Sequence, residues 1–281
     1  MASERTKYPV GELCAGLGMA RSTFYAWQRR PPSLRAMHDA VLLKEIVRIH
    51  TETGGAYGSP RVLADLRELG FTVGQRRVAR LMRLHRIRAR QFRRYRATGS
   101  RRASLLAPNL VRREFTVDRV NAVWAGDITQ FWTSQGWLYV AAVLDLCSRR
   151  VVGWTTSDRP KQTLVIDALR KALVDRAPSN GLIAHTDQGS QYGSIAYQQL
   201  LKRHGIRCSM SHRGTPADNA VVESFFSSMK RERLNGVRFE TREAARRAVF
   251  EYIEVFYNRR RRHSTLGQVS PEEFERRIKQ R

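Results

Sequence analysis

Cysteine is scarce and scattered in this chain: Cys14, Cys147 and Cys208 are isolated, odd in number and far apart. That excludes a disulfide framework and a cysteine-built zinc cage, and fits reduced thiols in the cytoplasm. His38 and His50 have no Cys-x-x-Cys to complete a zinc site and read as ordinary helix residues. No apolar run approaches the roughly 18 residues of a membrane span, and the N-terminus has no apolar signal core, so no membrane partner is expected. The phosphate-binding run GxxxxGK(S/T) is missing, so no ATP is expected. Acidic residues are the last shortage. The 281 residues carry 25 Asp and Glu against 51 Lys and Arg, a formal net charge of +26. An arginine-heavy surplus of that size repels itself unless a polyanion screens it. With membranes set aside, that polyanion is nucleic acid.

What is present is a globular composition, 42% hydrophobic, in a chain long enough for a full core and two or three domains. The charge is uneven. Residues 1–113 hold 24 basic and 7 acidic residues, a net +17, whereas residues 114–234 hold 15 and 11, a net +4. A DNA-gripping head followed by a chemical body is the simple reading.

The head divides into three. Residues 1–35 contain a helix, a turn at Gly18 and a second helix opened by Arg21, with Leu13, Leu17 and Phe24 as the expected core. Residues 36–96 form a second helix-turn-helix candidate. A helix from Asp39 to His50 carries Val41, Leu42, Ile46 and Ile49 on one stripe. A second helix starts near Pro60, with Ser59 as its expected cap, buries Val62, Leu63, Leu66 and Leu69 and stops at Gly70. The third helix, about Gln75 to His85, buries Val78, Leu81, Met82 and His85, while Arg76, Arg77, Arg80 and Arg83 line its other face. Four arginines without an acid among them are expected to meet phosphate. Residues 97–116 read as a basic linker, which together with the preceding Phe92 and Tyr95 is expected to order on DNA.

From there the pattern alternates between strand and helix. Strands are expected at 124–131, 137–145, 150–155, 182–186 and 206–209, and helices at 161–176, 194–204 and 218–234. This is an α/β layer fold over residues 117–234, followed by a helical extension over 235–281. The run WLYVAAVLD is apolar on both faces and belongs at the centre of its sheet.

Three acids stand out. Asp127 lies in the strand-like VWAGDITQFW, Asp187 follows LIAHT at a Gly-rich turn, and Glu223 lies on a helix 36 positions later. Carboxylates gathered in a largely apolar fold repel one another, and hard divalent cations held by oxygen ligands are the simplest remedy. These acids, with YGSPRV, HTDQGSQY, DNAVVESFFSSMKRE and YNRRRRHSTLGQVSPEEF, resemble the second-reading-frame (OrfB) transposases of the bacterial insertion-sequence-three family, within the Asp-Asp-Glu transposase and retroviral integrase superfamily. The likeness runs from about Ala20 to Phe274.

The resemblance implies a ribonuclease-H-like integrase core, a mixed five-stranded sheet flanked by helices, preceded by a helical helix-turn-helix DNA-binding region. It implies Asp127, Asp187 and Glu223 as catalytic residues and as ligands of two Mg²⁺ ions, with Mn²⁺ as a substitute. Asp127 would bridge both ions, and Asp187 and Glu223 would each complete one shell. The implied activity is strand cleavage at element ends and strand transfer. The implied partners are double-stranded terminal inverted repeats and target DNA, in a homodimer or larger synaptic assembly, nucleoid-associated in a bacterial cytoplasm. The family usually fuses this frame to an upstream OrfA product bearing a leucine zipper, and no such heptad run occurs here.

Lys230 stands seven positions after Glu223, about 10 Å along one helix face, suited to hold DNA phosphate. Arg259, Arg260, Arg261 and Arg262 fit phosphate or a partner subunit. Asp145 reads as a turn acid. His185 shares a strand face with Asp187 and is either a supporting group or a satisfied core residue. Asn219 reads as a helix N-terminal residue. Two other readings stay open: a non-catalytic DNA-binding regulator of transposition, and a general nuclease without end specificity.

Overall fold

A computed structural model describes residues 8–90, 107–112, 115–211 and 216–280. Phe92, Tyr95 and most of the basic linker lie outside the described residues.

The first two helices, α1 (Val10–Gly16) and α2 (Arg21–Arg29), turn at Gly18, whose φ of +62° is open to glycine without strain. Cys14 and Phe24 are buried here. Leu17, expected in that core, ends α1 and is 63% exposed.

The second helical unit contains α3 (Leu34–Glu52), α4 (Ser59–Glu68) and α5 (Gln75–Leu84). The α3 helix starts earlier than expected because Ser33 caps it, its hydroxyl accepting from the Ala36 N–H. Leu42, Ile46 and Ile49 pack on Val62, Leu63, Leu66, Val78, Leu81 and Met82. Each fully buried aliphatic side chain contributes about 1.5–3 kcal/mol. Val41, Leu69 and His85 were expected inward and point to solvent. Ser59, expected as a cap, is instead the first helical residue behind Gly58.

Five strands follow: β1 (Val123–Thr133), β2 (Gly136–Asp145), β3 (Val151–Ser157), β4 (Ile183–Thr186) and β5 (Arg207–Met210). Their order is β3-β2-β1-β4-β5. The first three form an antiparallel meander, and β4 and β5 run parallel to β1, so the sheet is mixed. On one face lie α6 (Gln162–Arg176) and α7 (Ile195–Arg203), packed on Trp124, Ala141, Val143 and Val152. Gly153 lets α6 sit directly on β3, since a Cβ there would stand 2.3 Å from the Ala168 carbonyl oxygen.

The other face is covered by α8 (Ala220–Met229) and α9 (Arg242–Phe250). The expected helix over 218–234 divides into three windings. A 3₁₀ turn (Pro216–Asn219) leads into α8, which continues as a π-helical turn (Lys230–Leu234). Similarly, α9 runs on as a π-helical turn (Glu251–Tyr257), and α10 (Pro271–Lys279) closes the chain. Phe256 packs against both the sheet core and the core of α3–α5.

Candidate active site

The site begins with strand pairing. Ala125 of β1 is level with His185 of β4. Asp127 follows Ala125 by two residues within β1 and Asp187 follows His185 by two, so the parallel pairing runs both aspartates toward the same end of the sheet. Asp127 remains within β1 and is partly buried, and its Oδ1 accepts from the Ile128 N–H at 2.7 Å. Asp187 lies just past the end of β4, exposed, with Oδ1 accepting from the Gly189 N–H at 2.9 Å. A Cβ on Gly189 would press against that same oxygen at 2.9 Å. Glu223 arrives from the opposite layer, in the first turn of α8.

The three acids share one electrostatic field. Burial, then the charges of Asp187 and Glu223, push the Asp127 carboxyl up to about 8. Burial, then Asp187, raises Glu223, and burial raises Asp187. Lys230 stands in the same field: burial lowers its ammonium, and the Asp127 charge opposes that shift. Among the described residues, no group of three His, Cys, Asp or Glu side chains is arranged to hold a metal ion. The Gly189 N–H holds one Asp187 oxygen.

Two buried polar residues frame the acids. His185 is fully buried between Ser209 Oγ at 2.8 Å and the Asp218 carbonyl at 2.9 Å. It thereby ties β4 and β5 to the turn that opens α8, and burial lowers its imidazole below the usual range. Asn219 is buried and donates from Nδ2 to the Gly126 carbonyl at 3.2 Å, one residue before Asp127. Its Oδ1 finds no partner among the described residues. Three carboxylates of raised proton affinity, and the unpartnered amide oxygen on the turn before α8, are all oxygen donors. That chemistry fits a hard divalent cation and its bound water. Asp145 stands apart from this set. It is buried, accepts from the backbone of Asn121, Cys147 and Ser148, and shapes the turn after β2.

The basic candidates separate in space. Arg21 is exposed on α2, with its guanidinium close over Gly11 of α1. Arg76 and Arg83 are exposed on α5. Arg77 and Arg80 both pair with Asp39 of α3, so they fasten α5 as well as facing outward. The 259–262 run was expected on phosphate or a partner. Arg259 and Arg260 are exposed, but Arg261 is 5% exposed and grips both oxygens of Glu232 at 2.7 Å. Arg262 pairs with Asp65 and Glu68 of α4. The guanidiniums of Arg261 and Arg262 are engaged within the chain, where phosphate or a partner was expected. Sequence reasoning missed Glu232 and Arg61 as counterparts in this cluster, although they lie inside DNAVVESFFSSMKRE and YGSPRV. A groove of about 680 Å³ between β3, α6 and α9, lined in part by Trp154, Lys171 and Phe250, contains none of the three acids.

The fold and site define an integrase core preceded by a helix-turn-helix unit. Integrase core domain models match residues 117–216 and 204–271, and an HTH-like domain model matches residues 37–95. Transposase InsF for insertion sequence IS3A of Escherichia coli (strain K12) is 42% identical over 278 residues, 96% of this chain and 95% of that protein. An uncharacterized 31 kDa protein of insertion element IS600 from Shigella sonnei is 40% identical over 263 residues, 93% of this chain and 97% of that one. A looser likeness, TM-score 0.42 at 16% identity, relates 55% of this chain to 95% of the HTLV-2 integrase catalytic core domain solved with magnesium. The chain belongs to the IS3 family of transposases, within the polynucleotidyl transferases.

Proposed function

We propose that this transposase binds the ends of its insertion sequence through the helix-turn-helix region, cuts a strand there and joins the freed end to target DNA. The observation that carries the proposal is the placement of Asp127 on β1, Asp187 just past β4 and Glu223 in the first turn of α8 of an integrase core. In cleavage, water oxygen attacks phosphorus, the P–O3′ bond breaks, and the 3′ oxygen takes up a proton. In joining, that 3′-hydroxyl attacks a target phosphorus and a target 3′ oxygen leaves. Asp127, Asp187 and Glu223 would hold two Mg²⁺ ions, or Mn²⁺ in their place, which would supply Lewis-acid activation of the attacking and leaving oxygens. Lys230 contributes positive charge for a DNA phosphate beside Asp127. Asn219 Oδ1 accepts a hydrogen bond from a water or hydroxyl at the site.

Arg21, Arg76, Arg83, Arg259 and Arg260 supply phosphate contacts, with Arg77 and Arg80 contributing from the edge of the Asp39 pair. Two ends must be held together for transposition, so the working form is a homodimer or larger assembly, alone or fused to an OrfA product, in the bacterial cytoplasm. Among the described residues no helix is long and apolar enough to cross a membrane.

Asp127→Asn, Asp187→Asn and Glu223→Gln are each expected to abolish Mg²⁺-dependent cleavage and joining of a terminal-repeat duplex while leaving its binding intact. Wild-type strand transfer by any of them removes that acid from the reaction. Binding without cutting by the unaltered chain favours the regulator reading instead.

A further inference from the structure

Two stretches of the sequence, YGSPRV and YNRRRRHSTLG, take no part in the carboxylate site, yet they meet. The Tyr57 hydroxyl donates to the Arg260 carbonyl and accepts from the Arg262 N–H, both at 3.0 Å. The Tyr57 ring lies 6.2 Å from Phe256, the residue packed against both cores. Arg262 reaches Asp65 and Glu68 on α4 and also donates to the Gln268 carbonyl at 2.7 Å. One turn before Asp65, Arg61 donates to Glu232 Oε1 at 3.3 Å.

Glu232 is the hub of this junction. It takes both forks of Arg261 and the Tyr252 hydroxyl at 2.8 Å, and it lies nine residues past Glu223 on the same helical run. Arg261 also donates to His263 Nε2 at 3.2 Å. Burial, then the charges of Arg261 and Arg61, pulls the His263 imidazole down to about 2, so the ring is a neutral acceptor. Exposed ion pairs hold little, but desolvated bidentate pairs fix geometry. A helix-turn-helix unit on a slack tether needs none of this.

We propose that this junction is a positioning device: Tyr57, Arg61, Arg261 and Arg262 fix the helix-turn-helix unit to the helix bearing Glu223, so that where DNA is gripped determines which phosphodiester reaches the three acids. The inference rests on the strand-cutting reading above. These four are positioning residues, since none touches the reacting atoms.

The test compares full-length wild type, Arg262→Asp, Arg262→Lys, Tyr57→Phe and the charge-conserving exchange Asp65→Arg with Arg262→Asp. The probe is a labelled duplex carrying the inverted repeats that flank this gene. Cut positions are mapped to the nucleotide in Mg²⁺, and repeat affinity is measured alongside. Arg262→Asp is expected to lower cleavage at the wild-type position about 100-fold and to spread the remaining cuts over neighbouring phosphates. Arg262→Lys and Tyr57→Phe spread them more mildly, affinity is unchanged, and the exchange restores the single position. Wild-type cutting by Arg262→Asp, or an exchange that restores nothing, overturns the proposal. If the wild type cuts no DNA, the strand-cutting reading fails instead. Hydrogen exchange then judges the junction alone: Arg262→Asp must loosen the amides of α4 and the exchange must tighten them again, and unchanged protection overturns the junction too.

Discussion

Replacing Asp127 by asparagine keeps its shape and the oxygen that the Ile128 N–H uses, and removes one of three like charges. In the folded chain burial, then Asp187 and Glu223, raise the Asp127 carboxyl from 3.8 to about 8. At about 1.36 kcal/mol per unit, that shift sets a ceiling of roughly 6 kcal/mol. An effective dielectric of about 20 reduces this to about 1–3 kcal/mol for a partly exposed group. Below about pH 4 the folded and unfolded chains both hold the proton, and the group contributes no difference. Between about pH 4 and 8 the unfolded chain ionises while the folded one keeps its proton, so wild-type stability falls as pH rises through that window and levels off above it. Asp127→Asn lacks this slope. At about pH 8.5 in EDTA the variant is expected to melt about 2–8 °C above wild type, and at about pH 4 at nearly the same temperature. Mg²⁺ at about 100 times its dissociation constant stabilises the wild type by about 2.7 kcal/mol and the variant by much less. Thermal unfolding followed by circular dichroism measures all three conditions for both proteins. A variant that melts at or below wild type at the higher pH without metal refutes the shared field.

Gly153→Ala places a Cβ 2.3 Å from the Ala168 carbonyl oxygen, forcing α6 off the sheet at a cost of about 3 kcal/mol or more in urea denaturation. An unchanged midpoint refutes the close approach. Arg261→Met strips Glu232 of its bidentate partner and is expected to cost about 3–5 kcal/mol, while Arg261→Met combined with Glu232→Gln costs less. Equal losses in the single and double variants argue against a buried pair. Arg76→Ala with Arg83→Ala is expected to reduce the log–log salt slope of DNA binding by about 1.8, or about 0.9 per lost phosphate contact. An unchanged slope takes α5 out of the interface.

Strands were the most legible elements, because short apolar runs between turn residues have few other solutions. The expected 137–145 strand became Gly136–Asp145, and its two-faced apolar pattern matches a strand buried between helices on both sides. That Asp127 and Asp187 follow neighbouring, paired residues was not legible, because it depends on which strands pair in parallel across widely separated stretches of chain. Helix faces misled where a stripe was wider than its partner: Val41 shares a helix with Leu42 and Ile46, but α4 and α5 cover only the latter two. The arginine run is the clearest limit. Four identical neighbours form one feature in sequence, yet in space two are exposed, one is buried against Glu232, and one bridges to α4 from 197 positions away. Sequence displays charge; only the fold supplies the counter-charge.

Between Glu223 and Glu232 the helix changes its winding from α to π at Lys230–Leu234. A π turn accommodates an extra residue compared with an α turn. The extra residue is taken up in the same stretch that carries Glu232 to Arg61 and Arg261. Chimeras between related chains should therefore keep the length of this stretch and its Glu232 together.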